Sequence, residues 1–177
     1  SVSTVTYEVE LSASADFSNP ISCPLTGATC APAAPLDDGA YYFHVRARDA
    51  AANASLYSGA FSFEVDGTAP SAPQNLVGPS SPTNNLKPTL SWEEVSDAAT
   101  YKVQRSMDPL FGIYTESVVT SSSWRSTQNV TDNVTIYWRV ISVDKAGNDS
   151  TPSAVSSFTT DAPSCSRSFL RPDSNSK

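Results

Sequence analysis

Side chains able to do acid–base, nucleophilic or metal chemistry are few in this sequence. The one histidine, His44, lies in the middle of an alternating run, where its neighbours point it to solvent. A nucleophile needs a base close by in space, and a lone strand-borne histidine does not supply that pair. Two pairs of adjacent carboxylates, Asp37 with Asp38 and Glu93 with Glu94, would suit glycoside cleavage if they converged. Neighbours on a strand point to opposite faces, so they read as turn acceptors and a solvated strand end. Cys23 and Cys30 have no histidine near them in sequence, as a zinc site would want. The seven glycines form no phosphate-cradling loop. Asp49 with Asn53, and Asp144 with Asn148 and Asp149, carry oxygen atoms at a spacing that suits calcium. The same residue types close tight turns on their own backbone, and that is the reading adopted. No catalytic residue, resident metal or cofactor is expected.

The remaining positions that could react or bind are cysteines, asparagines, hydroxyls and aromatic rings. Cys23 and Cys30 bracket the short segment Pro24 to Thr29. Such a loop closes as a disulfide hairpin in an oxidising compartment; two free thiols are the alternative. Cys165 is the odd cysteine, either free or paired outside the chain. Asn53, Asn129, Asn133 and Asn148 each open an Asn-x-Ser/Thr acceptor pattern. All four fall in predicted turns or strand edges, where a glycan fits. The hydroxyl run Thr120 to Ser123 reads as an edge strand that could also carry O-glycans. Trp124 and Tyr114 are candidate surface rings, with packing the favoured role for Trp124.

The elements that hold these residues are strands. Charged residues make up only 16% of the chain, and thirteen prolines would break most long helices. Alternation of period two runs through Val5, Tyr7, Val9 and Leu11, through Tyr41, Phe43, Val45 and Ala47, and through Ile136, Trp138 and Val140. Asp37-Asp38-Gly39 and Gly147-Asn148-Asp149 supply turns. The net charge of −7 leaves no basic footprint for nucleic acid. No apolar run approaches the roughly 20 residues of a membrane span, and no signal peptide is visible at the start.

The chain also repeats itself. Tyr42 to Ser55 lies on Tyr137 to Ser150 at an offset of 95, with Val45 on Val140, Asp49 on Asp144 and Asn53 on Asn148. Phe63 falls on Phe158. Upstream the offset is 94, with Tyr7-Glu8-Val9 on Tyr101-Lys102-Val103 and Phe17 on Phe111. The second copy also has Gln74-Asn75-Leu76 to start a first strand and Pro88 to Trp92 as a second, with Leu90 and Trp92 facing inward. The first copy begins at the strand equivalent to Tyr101. The expected organisation is an incomplete sandwich over 1–66, a proline-spaced connector over 67–73, a complete sandwich over 74–161 and a tail over 162–177.

Leu90-Ser91-Trp92, Tyr101-Lys102-Val103 and Tyr137-Trp138-Arg139-Val140 resemble the second, third and sixth strands of fibronectin type III domains. The segment Asp144 to Ser150 and the connector Thr68 to Pro73 are similar to those of Ig-like or type III repeats in large secreted and surface proteins, notably microbial ones. The resemblance implies an all-β chain of tandem Ig-like β-sandwiches, the first lacking its first two strands. It implies an extracellular or cell-surface protein that is not an enzyme. The expected role is a subunit or segment of a fibre or surface stalk. Its partners are other copies of itself or neighbouring domains of a longer chain, with strands exchanged between subunits. The alternative is an adhesive or carbohydrate-binding module of a secreted multidomain protein. No Arg-Gly-Asp tripeptide occurs.

Overall fold

The computed structural model describes residues 5–162, which contain eleven strands and no helix. The chain divides into two compact units, Ser1–Thr68 and Ala69–Lys177. Cys165 lies outside the described residues.

The first unit holds β1 (Thr6–Ser12), β2 (Leu25–Thr26), β3 (Thr29–Cys30), β4 (Gly39–Arg48) and β5 (Phe61–Val65). Its main sheet is antiparallel with the order β1-β4-β5, and β2 and β3 form a separate hairpin. Val9 pairs with Val45, Leu11 with Phe43 and Tyr41 with Phe63, so one face of the sheet is apolar. The opposite face pairs Glu8 with Arg46 and Glu10 with His44.

The second unit holds β6 (Thr89–Ser91), β7 (Thr100–Ser106), β8 (Thr115–Val119), β9 (Ser123–Arg125), β10 (Thr135–Val143) and β11 (Ser156–Thr159). A four-stranded antiparallel sheet, β11-β10-β7-β8, carries Tyr101, Val103, Ile136, Trp138, Val140 and Phe158 on one face. A two-stranded layer of β6 and β9 carries Leu90 opposite Trp124. Leu90, Trp92 and Val95 join the sheet residues in one core, with Leu76 and Trp124 packed at its margin. Val95 donates its N–H to the Tyr101 hydroxyl at 2.9 Å inside that core, so the phenol is buried with its polar end satisfied. The segment from Gln74 contributes a single bridge, Val77 to Ser91, rather than a run of strand. Pro73 is fully buried in this unit, and Ser142 Oγ donates to the Ser71 carbonyl at 2.6 Å.

The two sheets repeat one another down to their hydrogen bonds. Val9 pairs with Val45 as Val103 pairs with Val140. Tyr41 pairs with Phe63 as Ile136 pairs with Phe158. Just ahead of β5, serine hydroxyls accept the N–H groups of β4: Ser58 from Val45 and Ser55 from Ala47. Ser153 and Ser150 do the same for Val140 and Ser142. After the first strand of each sheet the chain turns through a phenylalanine in the left-handed region, Phe17 and Phe111, both at φ 56°. The buried Ser12 and Ser106 anchor those turns by accepting the N–H of Ser14 and Asp108.

Candidate interaction surface

The apolar face of β1, β4 and β5 is the largest unpartnered feature of the first unit. Tyr7 is 52% exposed, while its counterpart Tyr101 is 2% exposed. Phe63 is 40% exposed, while Phe158 is 2% exposed. Val9, Phe43 and Val45 are half-buried where Val103, Trp138 and Val140 are fully buried. Phe61 and Val5 are also exposed. These side chains sit where the β6–β9 layer covers the second unit. Fully burying one such side chain is worth about 1.5–3 kcal/mol, so a sheet face of this kind gains by being covered.

Part of the cover comes from the disulfide loop. Cys23 and Cys30 are bonded and close the β2–β3 hairpin, with Gly27 at φ +66° in its tip. The hairpin and the chain through Leu36 enclose, with Val9, Phe43 and Phe63, an apolar groove of about 490 Å³. Leu11 is buried beneath it. The hairpin keeps Val9, Phe43 and Val45 half-buried, where a sheet face with no cover would leave them in water.

The other face is a charged lattice. Glu8 accepts from Arg46 Nε at 2.8 Å and Nη2 at 3.0 Å, and from Arg48 Nε at 2.7 Å. Hydrogen bonds from Arg46 and then Arg48 lower the Glu8 carboxyl from 4.5 to about 2. His44 is not solvent-facing. Its ring lies between Phe17, with centroids 3.7 Å apart, and Tyr57, at 3.8 Å. Its Nε2 is 2.8 Å from Glu10 Oε2, and the Tyr57 hydroxyl donates to Glu10 Oε1 at 2.7 Å. His44 and then Tyr57 hold the Glu10 carboxyl below the usual range, and burial with the Glu10 bond pushes the Tyr57 phenol up to about 12. The second unit has the same geometry with other residues. Arg139 lies 4.2 Å over Phe111 and donates to Gln104 at 2.7 Å. A stacked histidine bound to one carboxylate, with no nucleophile in the cluster, is a packing device.

The two Asp–Asn loops are closed turns. Asp49 Oδ1 accepts the N–H groups of Ala51 and Asn53, and Oδ2 accepts Asn53 Nδ2. Asp144 accepts Gly147, Asn148 and Asn148 Nδ2 in the same manner. Burial opposes ionisation of Asp144, and the bonds from Asn148 and Gly147 outweigh it, so its carboxyl lies low. Among the described residues no group of three or more His, Cys, Asp or Glu could hold a metal ion.

Asn53, Asn129 and Asn133 are exposed. Asn133 stands at φ 54° in a turn, where a short polar side chain is tolerated. Asn148 is half-buried and donates to Asp144. Trp124 is half-buried beside the core, and Tyr114 is exposed. Among the described residues no helix is long and apolar enough to cross a membrane.

No family model and no curated protein matches the chain. Solved structures do. The FN1–FN3 domains of chicken CNTN1 align over 89% of this chain and 56% of theirs, with a TM-score of 0.58 and 16% identity. A Fn3-like protein from Clostridium thermocellum aligns over 54% of this chain and 98% of its own, with a TM-score of 0.45 and 24% identity. The fold is that of fibronectin type III domains. At 16% identity the likeness to the CNTN1 domains carries the architecture alone. In the chicken CNTN1 structure such domains occur in series along one chain. The fold and the Cys23–Cys30 disulfide are both compatible with an extracellular protein.

Proposed function

We propose that this chain is a non-enzymatic segment of an extracellular fibre or surface stalk, built from type III domains. In this reading the apolar sheet face of the first unit is completed by strands of a neighbouring copy or a neighbouring domain. The observation that carries it is the pairing of equivalent positions: Tyr7, Val9, Phe43 and Phe63 are open or half-open, and Tyr101, Val103, Trp138 and Phe158 are sealed. A layer like β6 and β9, laid head-to-tail between copies, propagates a filament rather than closing a dimer. The exposed acceptors Asn53, Asn129 and Asn133 would carry glycans on such a surface, with Asn148 held back by its bond to Asp144.

The test is self-association of the full chain. Light scattering over a concentration series should show mass rising beyond the monomer, and electron microscopy should show strings. A dye that fluoresces on apolar surfaces should be released as mass rises. Replacing Phe43 with Glu at the centre of the face should hold the chain monomeric. A chain that stays monomeric at every concentration while still binding the dye would refute assembly through this face.

A further inference from the structure

Arg105 stands where an apolar side chain is expected. Tyr101, Val103 and Arg105 alternate toward the interior of the second unit, and the equivalent of Arg105 in the first unit is Leu11, 3% exposed. The guanidinium carbon lies 4.0 Å over the Trp124 ring. Nη2 donates to Ser117 Oγ at 3.1 Å, and Nε is buried with no protein acceptor. Burial lowers the pKa of the group, and no carboxylate of the described residues lies within ion-pair distance. A half-buried charge without a counter-charge carries part of the cost of desolvation.

Arg105 lines a cavity of about 400 Å³. Its wall mixes hydroxyl and amide groups of Ser126, Gln128, Asn129 and Thr131 with apolar Ile113 and Ile136. Donors and acceptors beside aliphatic patches match the hydroxyl and C–H surfaces of a sugar ring. A carboxylate on that ring would supply the missing counter-charge through a charge-assisted hydrogen bond to the guanidinium. We propose that this cavity binds a carboxylate-bearing sugar, a hexuronate, with Arg105 as the anion ligand and Trp124 as its support. The site lies wholly in the second unit and stands or falls independently of assembly through the first. Asn129 lies on its wall, so a glycan there would compete for the same space.

NMR titration of the full chain, made in a host that adds no glycans, tests this with sodium glucuronate, glucose and N-acetyl-aspartate amide as probes. Glucuronate should give saturable shifts at Arg105 and residues 126–131. Glucose, lacking the carboxylate, should bind at least about tenfold more weakly. Arg105→Leu, which restores the residue type of the first unit, should weaken glucuronate by a similar factor. Asn129→Trp keeps Arg105 in place and plugs the cavity, so it should abolish binding whether or not the Leu variant folds. Shifts that do not saturate, equal binding of glucose, tighter binding of the aspartate amide, or glucuronate binding that survives Asn129→Trp would each overturn the proposal.

Discussion

Val9 and Val103 hold one position in two copies of the same sheet, each facing a valine across the strand. Val103 is sealed from water, and Val9 is half open. Strands β1, β4 and β5 match β7, β10 and β11, and the left-handed phenylalanines, the Asp–Asn turns and the serine hydroxyl bonds match in both units. What differs is the edge strand β8, present only in the second unit, and the covering layer. In the second unit Leu90, Trp92 and Trp124 close over the sheet, and in the first a disulfide hairpin leans on part of it. Backbone geometry is therefore set within the sheet and its own turns, and burial is set by what lies across from it. Side-chain bonds such as Ser58 to Val45 and Asp49 to Asn53 lie within the first unit's own sheet and turns.

The sharpest way to break that comparison is to truncate the same position in each unit. Trp138→Ala removes a fully buried ring and should cost about 3–5 kcal/mol. Phe43→Ala, at the half-buried equivalent, should cost about 1 kcal/mol. All three tryptophans, Trp92, Trp124 and Trp138, lie in the second unit, so tryptophan fluorescence in denaturant reads that unit alone. Residue-resolved amide exchange reads the first. Equal costs would mean that the first sheet is covered in solution as fully as the second.

Reducing the Cys23–Cys30 bond comes next. Its loop is short, with a sequence separation of 7, and the chain-entropy relation gives about 2–3 kcal/mol for such a closure. Thermal unfolding with and without reductant should lower the transition of the first unit and leave the tryptophan transition in place. A shift of both transitions would show that the hairpin does not act on its own sheet alone.

The smallest effect is acid sensitivity. Glu8 is depressed from 4.5 to about 2 by Arg46 and Arg48, so its bonds are fully present above about pH 4.5. They are lost as pH falls toward 2. The second unit has Lys102 at that position, paired with Asp149 at 2.5 Å. On lowering the pH from 5 to 2, the first unit should lose stability more steeply than its Glu8→Gln variant does. A Gln variant with the same slope would mean that other carboxylates carry the acid response.

Much of this was legible in the sequence. Alternation over Tyr41 to Ala47 fixes which residues share a face, because successive side chains must point opposite ways. Offsets of 94 and 95 map onto registers seen in both sheets, because the single-residue difference falls in a loop. His44 was misread because alternation gives the face and not the cover. Phe17 and Tyr57, which enclose its ring, come from separate loops that no periodicity ties to it. Arg105 escaped notice for the opposite reason. Its place in the alternation pointed inward, but the walls of its cavity come from the irregular stretch 126–131 and from Ile113. The first strand of the second unit is reduced to the bridge at Val77 because Pro73 and Pro79 flank it without N–H groups and Asn75 takes a left-handed φ of 52°.

The serine bonds beside β4 and β10 have a consequence for growth. Val45 and Ala47 in one unit, and Val140 and Ser142 in the other, point their N–H groups at hydroxyls instead of leaving them bare. Ser58 and Ser55 return their own N–H groups to the carbonyls of Val45 and Ala47. An incoming strand finds no free ladder there. The hydroxyls work as end stops, and any lengthening of the sheet must proceed from the outer margin of β1 or of β5.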